Sequence, residues 1–485
     1  MSAAPKQKRS PASPDTIAAR TDGTPDTPLE QQLYAIRQKI QPRAVHGVFA
    51  DWRVAMVLVT QLVYYGLPWL QWDDRQAVLF DLAARKFYIV GWVFWPQDFI
   101  YLTGLLILAA LALFLFTAVA GRLWCGYACP QTVYTEIFMW AEQWLEGDHL
   151  ARRKLDAAPW NATKLKKRGA KHLLWFAVAL WTGFTFVGYF TPIRTLAAEV
   201  ATWTLGPWES FWIVFYAFAT WGNAGFMREQ VCKYMCPYAR FQSVMFDADT
   251  LTVTYDASRG EPRGARGRKV DFKAAGLGAC VDCGVCVQVC PTGIDIRNGL
   301  QYECIGCAAC IDGCDRIMDK MGYPRGLIRY TTENVVKGQY PDRGIAAHVL
   351  RPRILIYAAL IAAIGGTFVW SLATRVPLRV DVVRDRVALS KETDDGLIEN
   401  VYRLQLINKD AQAHRYTVEA RGIDRLEVIA HGTLAAGPLE TVDVPVSLIA
   451  DPADLTGRSL PVTLTVRAVD APEIVDDVET KFFNR

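Results

Sequence analysis

The sequence predicts a multi-domain membrane protein. Its expected parts are an α-helical bundle of about five spans, a cysteine-rich unit on one side of the bilayer, and a C-terminal all-β immunoglobulin-like domain on the other. Three observations carry that prediction. Hydropathy rises in blocks long enough to cross a bilayer, which takes about 20 residues. Eight of the twelve cysteines are crowded into residues 280–314. From about residue 378 the pattern turns to short alternating strands separated by turn residues.

Residues 1–50 form a basic arm, and its first 30 residues are rich in Pro, Ser, Thr and Ala and short of large apolar side chains. That composition cannot bury enough surface to fold, so the arm is expected to be disordered. It has no apolar core of a secretory signal and should stay on the synthesis side. Spans are expected near 54–71, 99–120, 172–190, 208–226 and 353–373. The first four make a bundle over residues 51–236, and 353–373 is a fifth, separate helix. The apolar stretch 78–97 is interrupted by Asp81, Arg85 and Lys86 and ended by Pro96. It is expected to be an interfacial or re-entrant loop that carries Trp92 and Trp95 at headgroup level.

Lysine and arginine orient the chain. They cluster before the first span and between the second and third, from Arg122 to Lys171, whereas the opposite loops hold only Arg75, Arg85, Lys86 and Arg194. The basic side is the cytoplasm. That places residues 237–352 inside and 374–485 outside. Every cysteine then falls on the reducing side or at its membrane edge. The net charge of +4 is small and evenly spread, which argues against a nucleic-acid partner.

The dense run reads Cys280-x2-Cys283-x2-Cys286-x3-Cys290-Pro291, then Cys304-x2-Cys307-x2-Cys310-x3-Cys314. This is the bacterial ferredoxin spacing for two 4Fe–4S clusters, in which the fourth cysteine of each run ligates the other cluster. Cys280, Cys283, Cys286 and Cys314 should hold one cluster, and Cys304, Cys307, Cys310 and Cys290 the other. Disulfide frameworks belong to short secreted chains, and zinc ribbons lack the compact count ending in Cys-Pro. One departure is that Asp315, not proline, follows Cys314. Such a chain handles electrons one at a time.

The tail alternates apolar and polar residues over Leu378–Val383, Val401–Asn408, Arg415–Ala420, Leu426–His431, Glu440–Leu448, Val462–Val469 and Val475–Phe483. Seven short strands predict an immunoglobulin-like sandwich, although no Cys…Trp…Cys core is present. His414 and His431 read as solvated loop or strand-end residues. A docking surface is the natural role of this domain.

The other four cysteines form two like motifs, Cys125-x3-Cys129-Pro130 and Cys232-x3-Cys236-Pro237, each just past the end of a span. A spacing of four puts both sulfurs on one helix face, and the proline stops or kinks the helix. Two similar halves side by side would bring four thiols together, a soft site suited to cuprous ion. The alternative is that they are inert thiols packed as small hydrophobes. His172 and His348, at the starts of spans, read as solvated interface anchors, and His46 carries no role.

With these motifs on the page, the chain resembles the cytochrome c oxidase accessory protein family, CcoG, also called FixG or RdxA. The resemblance rests on Gln76-Ala-Val-Leu-Phe-Asp81, Phe94-Trp-Pro-Gln-Asp98, Trp124 through Pro130, Asn223-Ala-Gly-Phe-Met-Arg-Glu-Gln230, the run Cys280–Cys314, and Met321-Gly-Tyr-Pro-Arg-Gly326. It implies a multi-pass polyferredoxin of the bacterial inner membrane, with its ferredoxin domain cytoplasmic and its C-terminal domain periplasmic. The implied activity is reduction of cupric to cuprous copper for a cbb-type haem-copper oxidase. Its implied partners are that oxidase's subunits or their copper chaperones, together with a cytoplasmic electron donor and the lipid bilayer. Cys125, Cys129, Cys232 and Cys236 become the catalytic, copper-binding thiols. Two rival readings remain. One is a quinol-oxidising conduit to another redox partner; the other is an assembly scaffold with structural clusters.

Overall fold

Long runs of Leu, Ala, Val and Phe without a breaker form the helices, and the structure is described here from a computed structural model that covers residues 39–341, 349–384 and 389–484. The arm over residues 1–30 and His348 lie outside the described residues. The chain divides into two units, Met1–Ile364 and Gly365–Arg485. The bundle and the cysteine-rich part, expected as separate domains meeting at 236/237, therefore share one unit.

In the first unit the helices are α1 Val48–Gly66, α2 Phe99–Ala120, α3 Leu123–Tyr127, α4 Pro130–Glu146, α5 His149–Ala157, α6 Ala162–Val187, α7 Ile193–Thr202 and α8 Pro207–Gly222. They are followed by α9 Pro237–Met245, α10 Ala257–Gly260, α11 Val285–Gln288, α12 Ala309–Met321 and α13 Glu333–Val336; α14 Pro352–Ala373 begins in this unit and its last residues belong to the second. Among the described residues, three helices are long and apolar enough to cross a membrane: Pro96–Ala120, Ala162–Val187 and Pro352–Ala373. The spans expected at 54–71 and 208–226 fall on α1 and α8. The first carries Asp51 and Arg53 near its start, and the second is 16 residues long before it widens into the turn Asn223–Met227. Helix α2 is apolar on every side and leaves that surface exposed, as a lipid-facing helix does. Helices α6 and α8 pack closely because the contact is made of small residues. A β-carbon on Gly183 would stand 2.3 Å from the Ile213 carbonyl oxygen, and Ala179 and Ala217 are fully buried.

The stretch 78–97, expected as an interfacial or re-entrant loop, is folded into a small sheet. A two-stranded ladder, β1 Gln71–Trp72 with β2 Arg75–Gln76, leads into an antiparallel meander of β3 Val78–Asp81, β4 Lys86–Ile89 and β5 Trp92–Phe94. The apolar residues come in runs of strand length, and the turns between them require positive φ at Arg85 and Val90. Trp92 is exposed, but Trp95 is buried, so only one of the two tryptophans expected at headgroup level is available there. Gln76 fastens this sheet to the end of α6. Its amide donates to the Gly188 carbonyl at 2.8 Å, and its oxygen accepts from Ile193 N–H at 2.9 Å.

The cysteine-rich part is built on a two-stranded antiparallel sheet, β6 Thr252–Tyr255 with β7 Ile328–Thr331. Val253, Ile294, Ile296, Ile311, Met318 and Leu327 fill its core. It is joined to the bundle by a capping contact between residues far apart in sequence. Asp312, buried on α12, accepts from Phe49 N–H at 3.3 Å and Ala50 N–H at 2.7 Å, the exposed donors of the first turn of α1. Gly47 leaves room for it, since a β-carbon there would lie 2.4 Å from the carboxylate. A carboxylate at a helix N-terminus contributes about 1–2 kcal/mol. Replacing Asp312 with Ala is expected to cost that amount in the unfolding free energy of this unit, and Asn should keep part of it; denaturant titration of both variants measures the difference.

The second unit is a sandwich of two sheets, as the pattern predicted. Its strands are β8 Leu378–Arg384, β9 Lys391–Glu392, β10 Ile398–Asn408, β11 His414–Arg421, β12 Glu427–Ala430, β13 Ala435–Ala436, β14 Thr441–Ala450, β15 Ser459–Ala468 and β16 Val475–Phe483. One sheet runs β12-β14-β10-β8 with β9 paired to β10, and the other runs β13-β11-β15-β16. All seven expected strands are present, with β9 and β13 added. The inner faces bury Leu404, Leu406, Val446, Leu464, Val466 and Phe482.

His414 corrects the sequence reading, because it is not solvated. It is buried, with Nδ1 2.8 Å from Asp470 and Nε2 3.3 Å from Asp410. Burial lowers its pKa, but hydrogen bonds to the two carboxylates outweigh this and hold it above the ordinary value. Asp470 is held below the usual carboxylate range, chiefly by its hydrogen bond to His414. The histidine's contribution is complete below the unfolded value near 6.5 and is lost as pH rises through the raised folded value. The aspartate's contribution is lost as pH falls through its depressed value. Thermal unfolding of this unit should therefore show a melting temperature that falls across the imidazole range and flattens in His414→Gln. His431 is exposed and contacts Ser447 Oγ at 2.8 Å.

Candidate electron-transfer and metal site

Two cavities in the cysteine-rich part are lined by the two predicted sets of thiols. One is lined by Cys280, Cys283, Cys286 and Cys314, with Tyr255, Met318 and Ile328 around them. The other is lined by Cys290, Cys304, Cys307 and Cys310, with Cys286 at its border and Val253, Ile294 and Ile305 as walls. Each run thus contributes its first three cysteines to one cavity and its last to the other.

Local backbone chemistry explains the convergence. Cys280 and Cys304 are 24 residues apart, as are Cys290 and Cys314, and the two loops share a conformation at that offset. Asp282 and Gly306, before the second cysteine of each run, take φ of 49° and 66°; Gly284 and Ala308, after it, take 63° and 59°. These left-handed residues turn the chain tightly enough to aim three successive side chains inward. Short helices α11 and α12 then carry the third cysteine of each run. Asp315, which stands where the first run has proline, accepts from Gly326 N–H at 2.9 Å and so closes the loop before β7. Arg297, paired with Asp295 at 2.7 Å, lines the first cavity, whereas among the described residues no charged side chain lines the second.

Burial pushes the Cys286 and Cys304 thiols up to about 12 and raises those of Cys310 and Cys314 as well. Thiols so desolvated hold their protons until a metal displaces them. Four thiols around each apolar cavity are the donor set that a cubane cluster requires, so the residues fit that group. All twelve cysteines are free.

The paired motifs are built alike, but differently from the single helix face that their spacing implied. Cys125 lies in α3, while Cys129 is the extended N-cap residue of α4, with Pro130 as the first helical residue. Cys232 lies in the wide helical turn Val231–Met235, and Cys236 is the extended N-cap of α9, with Pro237 first. The residue before a proline is forced out of helical conformation, and proline suits the first turn of the next helix. Each pair therefore straddles a helix break instead of lying along a helix.

Cross-links bring the two motifs together. Cys125 Sγ donates to Gln242 Oε1 at 3.3 Å, so the first motif reaches α9 of the second. Gln131, two residues after Cys129, donates to the carbonyls of Asn223 at 3.0 Å and Arg228 at 3.2 Å. All four thiols sit within electrostatic reach of one another. Burial raises Cys125 to about 11 and Cys232 to about 12. Among the described residues no three His, Cys, Asp or Glu side chains already converge on a single ion position, so the four thiols form a neighbourhood that is not closed into a cage.

This neighbourhood rests directly on the second cavity. Cys125 and Cys232 both pack against the apolar group of Ile305, Cys307 and Ala309. Gly126 makes the closest approach: a β-carbon there would stand 2.8 Å from Cys307 Cα and 2.9 Å from the Gly306 oxygen. Arg122, buried, hydrogen-bonds the carbonyls of Tyr302, Cys304 and Ala239 and so ties the cysteine loop to both motifs. Gly126, Arg122 and Gln242 were missed in the sequence. Arg122 was counted there only as one more basic residue of a loop, and neither Gly126 nor Gln242 has a local signature. His172 was misread as solvated. Its ring is stacked on Phe226 with a centroid distance of 5.7 Å and lies 5.2 Å from the Trp175 ring.

Comparison with known proteins agrees with this architecture. A family model described as a 4Fe-4S dicluster domain matches residues 227–333, and one described as a 4Fe-4S binding domain matches 102–156, a stretch whose only cysteines are Cys125 and Cys129. A third, described as an IG-like fold at the C-terminal of FixG, matches 368–485. The nitrogen fixation protein FixG of Rhizobium meliloti is 39% identical over 81% of this chain and 80% of its own. Protein RdxA of Cereibacter sphaeroides is 40% identical, covering 86% and 88%, and its Protein RdxB 41%, covering 87% and 89%. The crystal structure of a FixG-related protein from Vibrio parahaemolyticus is 28% identical, covering 22% of this chain and 97% of that one at a TM-score of 0.21. With two cavities each lined by a predicted set of four cysteines, apolar helices of membrane-spanning length and this identity over most of its length, the chain belongs to the FixG and RdxA family of membrane-associated iron–sulfur electron-transfer proteins.

Proposed function

We propose that the protein is a membrane-bound cupric reductase that delivers cuprous ion for assembly of a cbb-type haem-copper oxidase, either to its subunits or to their copper chaperones. The observation that supports this reading above the others is the packing of the Cys125–Cys129 turn on the Cys304–Cys310 loop through Gly126. In this reading Cys280, Cys283, Cys286 and Cys314 hold one 4Fe–4S cluster and Cys290, Cys304, Cys307 and Cys310 the other. When bound, the clusters supply single electrons, which a cytoplasmic donor must first provide. Five helices cross the bacterial inner membrane, with the cysteines on the cytoplasmic side and residues 374–485 in the periplasm.

Copper is the substrate. Cupric ion enters the groove lined by Cys232, Glu136, Met139, Arg228 and Glu229. Cys125, Cys129, Cys232 and Cys236 give up protons as they bind it. One electron converts cupric to cuprous ion, which binds these soft sulfurs in preference to oxygen or nitrogen donors. Gln242 orients the Cys125 sulfur, and Arg122 keeps the turn seated on its loop.

The test uses full-length protein purified without oxygen and reduced chemically. On addition of cupric ion, wild type should yield cuprous ion, read with a cuprous-specific chelator, in step with bleaching of the cluster absorbance. Cys125→Ser with Cys129→Ser should keep its iron and lose the copper reaction. A rate equal to wild type would remove these thiols from the mechanism.

A further inference from the structure

A network of buried charges, which meets the proposed copper groove only at Arg228, surrounds another cavity at the charged end of α6. The cavity measures about 260 Å³ and is lined by Lys39, Arg168, Lys171 and Arg228, with Glu142 the one carboxylate and His172, Trp175 and Phe226 on its aromatic side. Lys171, Arg228 and Glu142 are more than nine-tenths buried. Glu142 binds Arg228 at 2.8 Å, Arg152 at 2.9 Å and Lys171 at 3.7 Å. Glu146 binds Lys171 at 3.0 Å and Arg168 at 3.5 Å. Asp156 pairs with Arg168 and, at 3.4 Å, with Lys39.

Among the described residues these ion pairs join five cations, half-exposed Lys39 with Arg152, Arg168, Lys171 and Arg228, to three carboxylates, Glu142, Glu146 and Asp156, an excess of two positive charges within the network. Surplus buried charge is costly unless something of opposite sign answers it. Burial opposes ionisation of Glu142, yet Arg228, Lys171 and Arg152 hold it below the ordinary carboxylate range, while burial lowers the pKa of Lys171 and Lys39, whose charged forms a bound anion would favour. His172 Nδ1 is buried and makes no hydrogen bond among the described residues.

We propose that this cavity binds a phosphate-bearing anion, held by Lys171, Arg168, Lys39 and Arg228 and contacted by His172. Guanidinium and ammonium groups that converge from different elements are the usual means of gripping phosphate. Its position indicates a source. Immediately beyond Lys171 the exposed face of α6 becomes apolar, beginning with Leu173 at 73% exposure. That is the headgroup depth of a bilayer, where basic pockets between helices take anionic lipid headgroups. Free phosphate offers the same chemistry, and the experiment separates the two.

Full-length holoprotein is reconstituted into nanodiscs of phosphatidylcholine alone or with phosphatidylglycerol. Retained lipid is counted by native mass spectrometry after extraction into detergent, and the melting temperature is followed against inorganic phosphate in lipid-free detergent. Wild type should retain phosphatidylglycerol selectively. Lys39→Gln with Arg168→Gln, both at the cavity rim, should weaken retention roughly thirtyfold, as expected for removing two charges at a membrane surface, while iron content is unchanged. A phosphate-dependent rise in melting temperature, abolished in the variant and without lipid selectivity, would assign the site to free phosphate. If the variant fails to fold, competition by sulfate for the lipid retained by wild type replaces it. The absence of both selective retention and a phosphate response in wild type would overturn the proposal, and the residues are then a closed ion-pair network.

Discussion

Replacing Gly126 with valine is expected to leave iron binding intact and cut cuprous production about a hundredfold. No β-carbon fits between this residue and the backbone of Cys307. The atoms in the way are main chain, not the far end of a flexible side chain, so the turn carrying Cys125 must lift off its loop. Overpacking of this kind costs about 1–3 kcal/mol in stability, which a unit of this size tolerates. The effect on the reaction should be larger, because a displacement of about 1 Å between reacting groups costs on the order of 100-fold in rate. Iron content and cluster absorbance would show that the cysteine loops survive, and chelator-trapped cuprous ion would report the rate. A variant that kept its iron and its rate would show that contact at Gly126 does not govern transfer, and the central support for the copper reading would be lost.

The second expectation concerns the exchange of fourth ligands between the loops. Cys290 lies in the chain with the first run but lines the second cavity, and Cys314 lies with the second run but lines the first. Cys290→Ser and Cys314→Ser should each reduce iron from about eight to about four per chain. They should differ in consequence. Cys290→Ser damages the cavity against which Cys125 and Cys232 pack, and its copper reaction should collapse. Cys314→Ser damages the more distant cavity and should keep a single fast turnover after chemical reduction. Electron paramagnetic resonance of the reduced variants would show which signal each one loses. The opposite assignment, with Cys314→Ser silencing copper reduction, would mean that each run closes on its own cluster.

Much of this was legible in the chain. Cysteine spacing is read directly as ligand spacing, because three thiols on a tight loop have few ways to point. The alternation from Leu378 to Phe483 gave the sandwich, since a two-residue period has one meaning in a half-buried strand. Apolar length marked the three helices that, among the described residues, are long and apolar enough to cross a membrane. Other features were not legible, for identifiable reasons. Residues 78–97 have the composition of a membrane segment, but their apolar runs are strand-sized and the turn at Asp81–Lys86 folds them into a meander. The basic residues between Arg122 and Lys171 read as a topology signal. In the structure Arg122 holds the cysteine loop, while Arg152, Arg168 and Lys171 enter a buried network whose carboxylates, Glu142 and Glu146, come from another helix. His414 does begin its strand, but it read as solvated because both of its aspartate partners lie in loops outside that strand.

Taken alone, the order of residues determined which chemistry this protein can do: soft sulfur in two ferredoxin runs and two Cys-x3-Cys-Pro pairs, beside apolar helices and a β tail. Ligand identity and spacing are local properties, and local geometry follows from them. Only the tertiary structure decided which thiols face one another. It set the Cys125–Cys129 turn on the Cys307 loop through a glycine, capped α1 with an aspartate 262 residues away from Ala50, and gathered five cations around three carboxylates. These are contacts between segments far apart in sequence. Their free energy depends on packing and on partner charges that no short window of sequence contains.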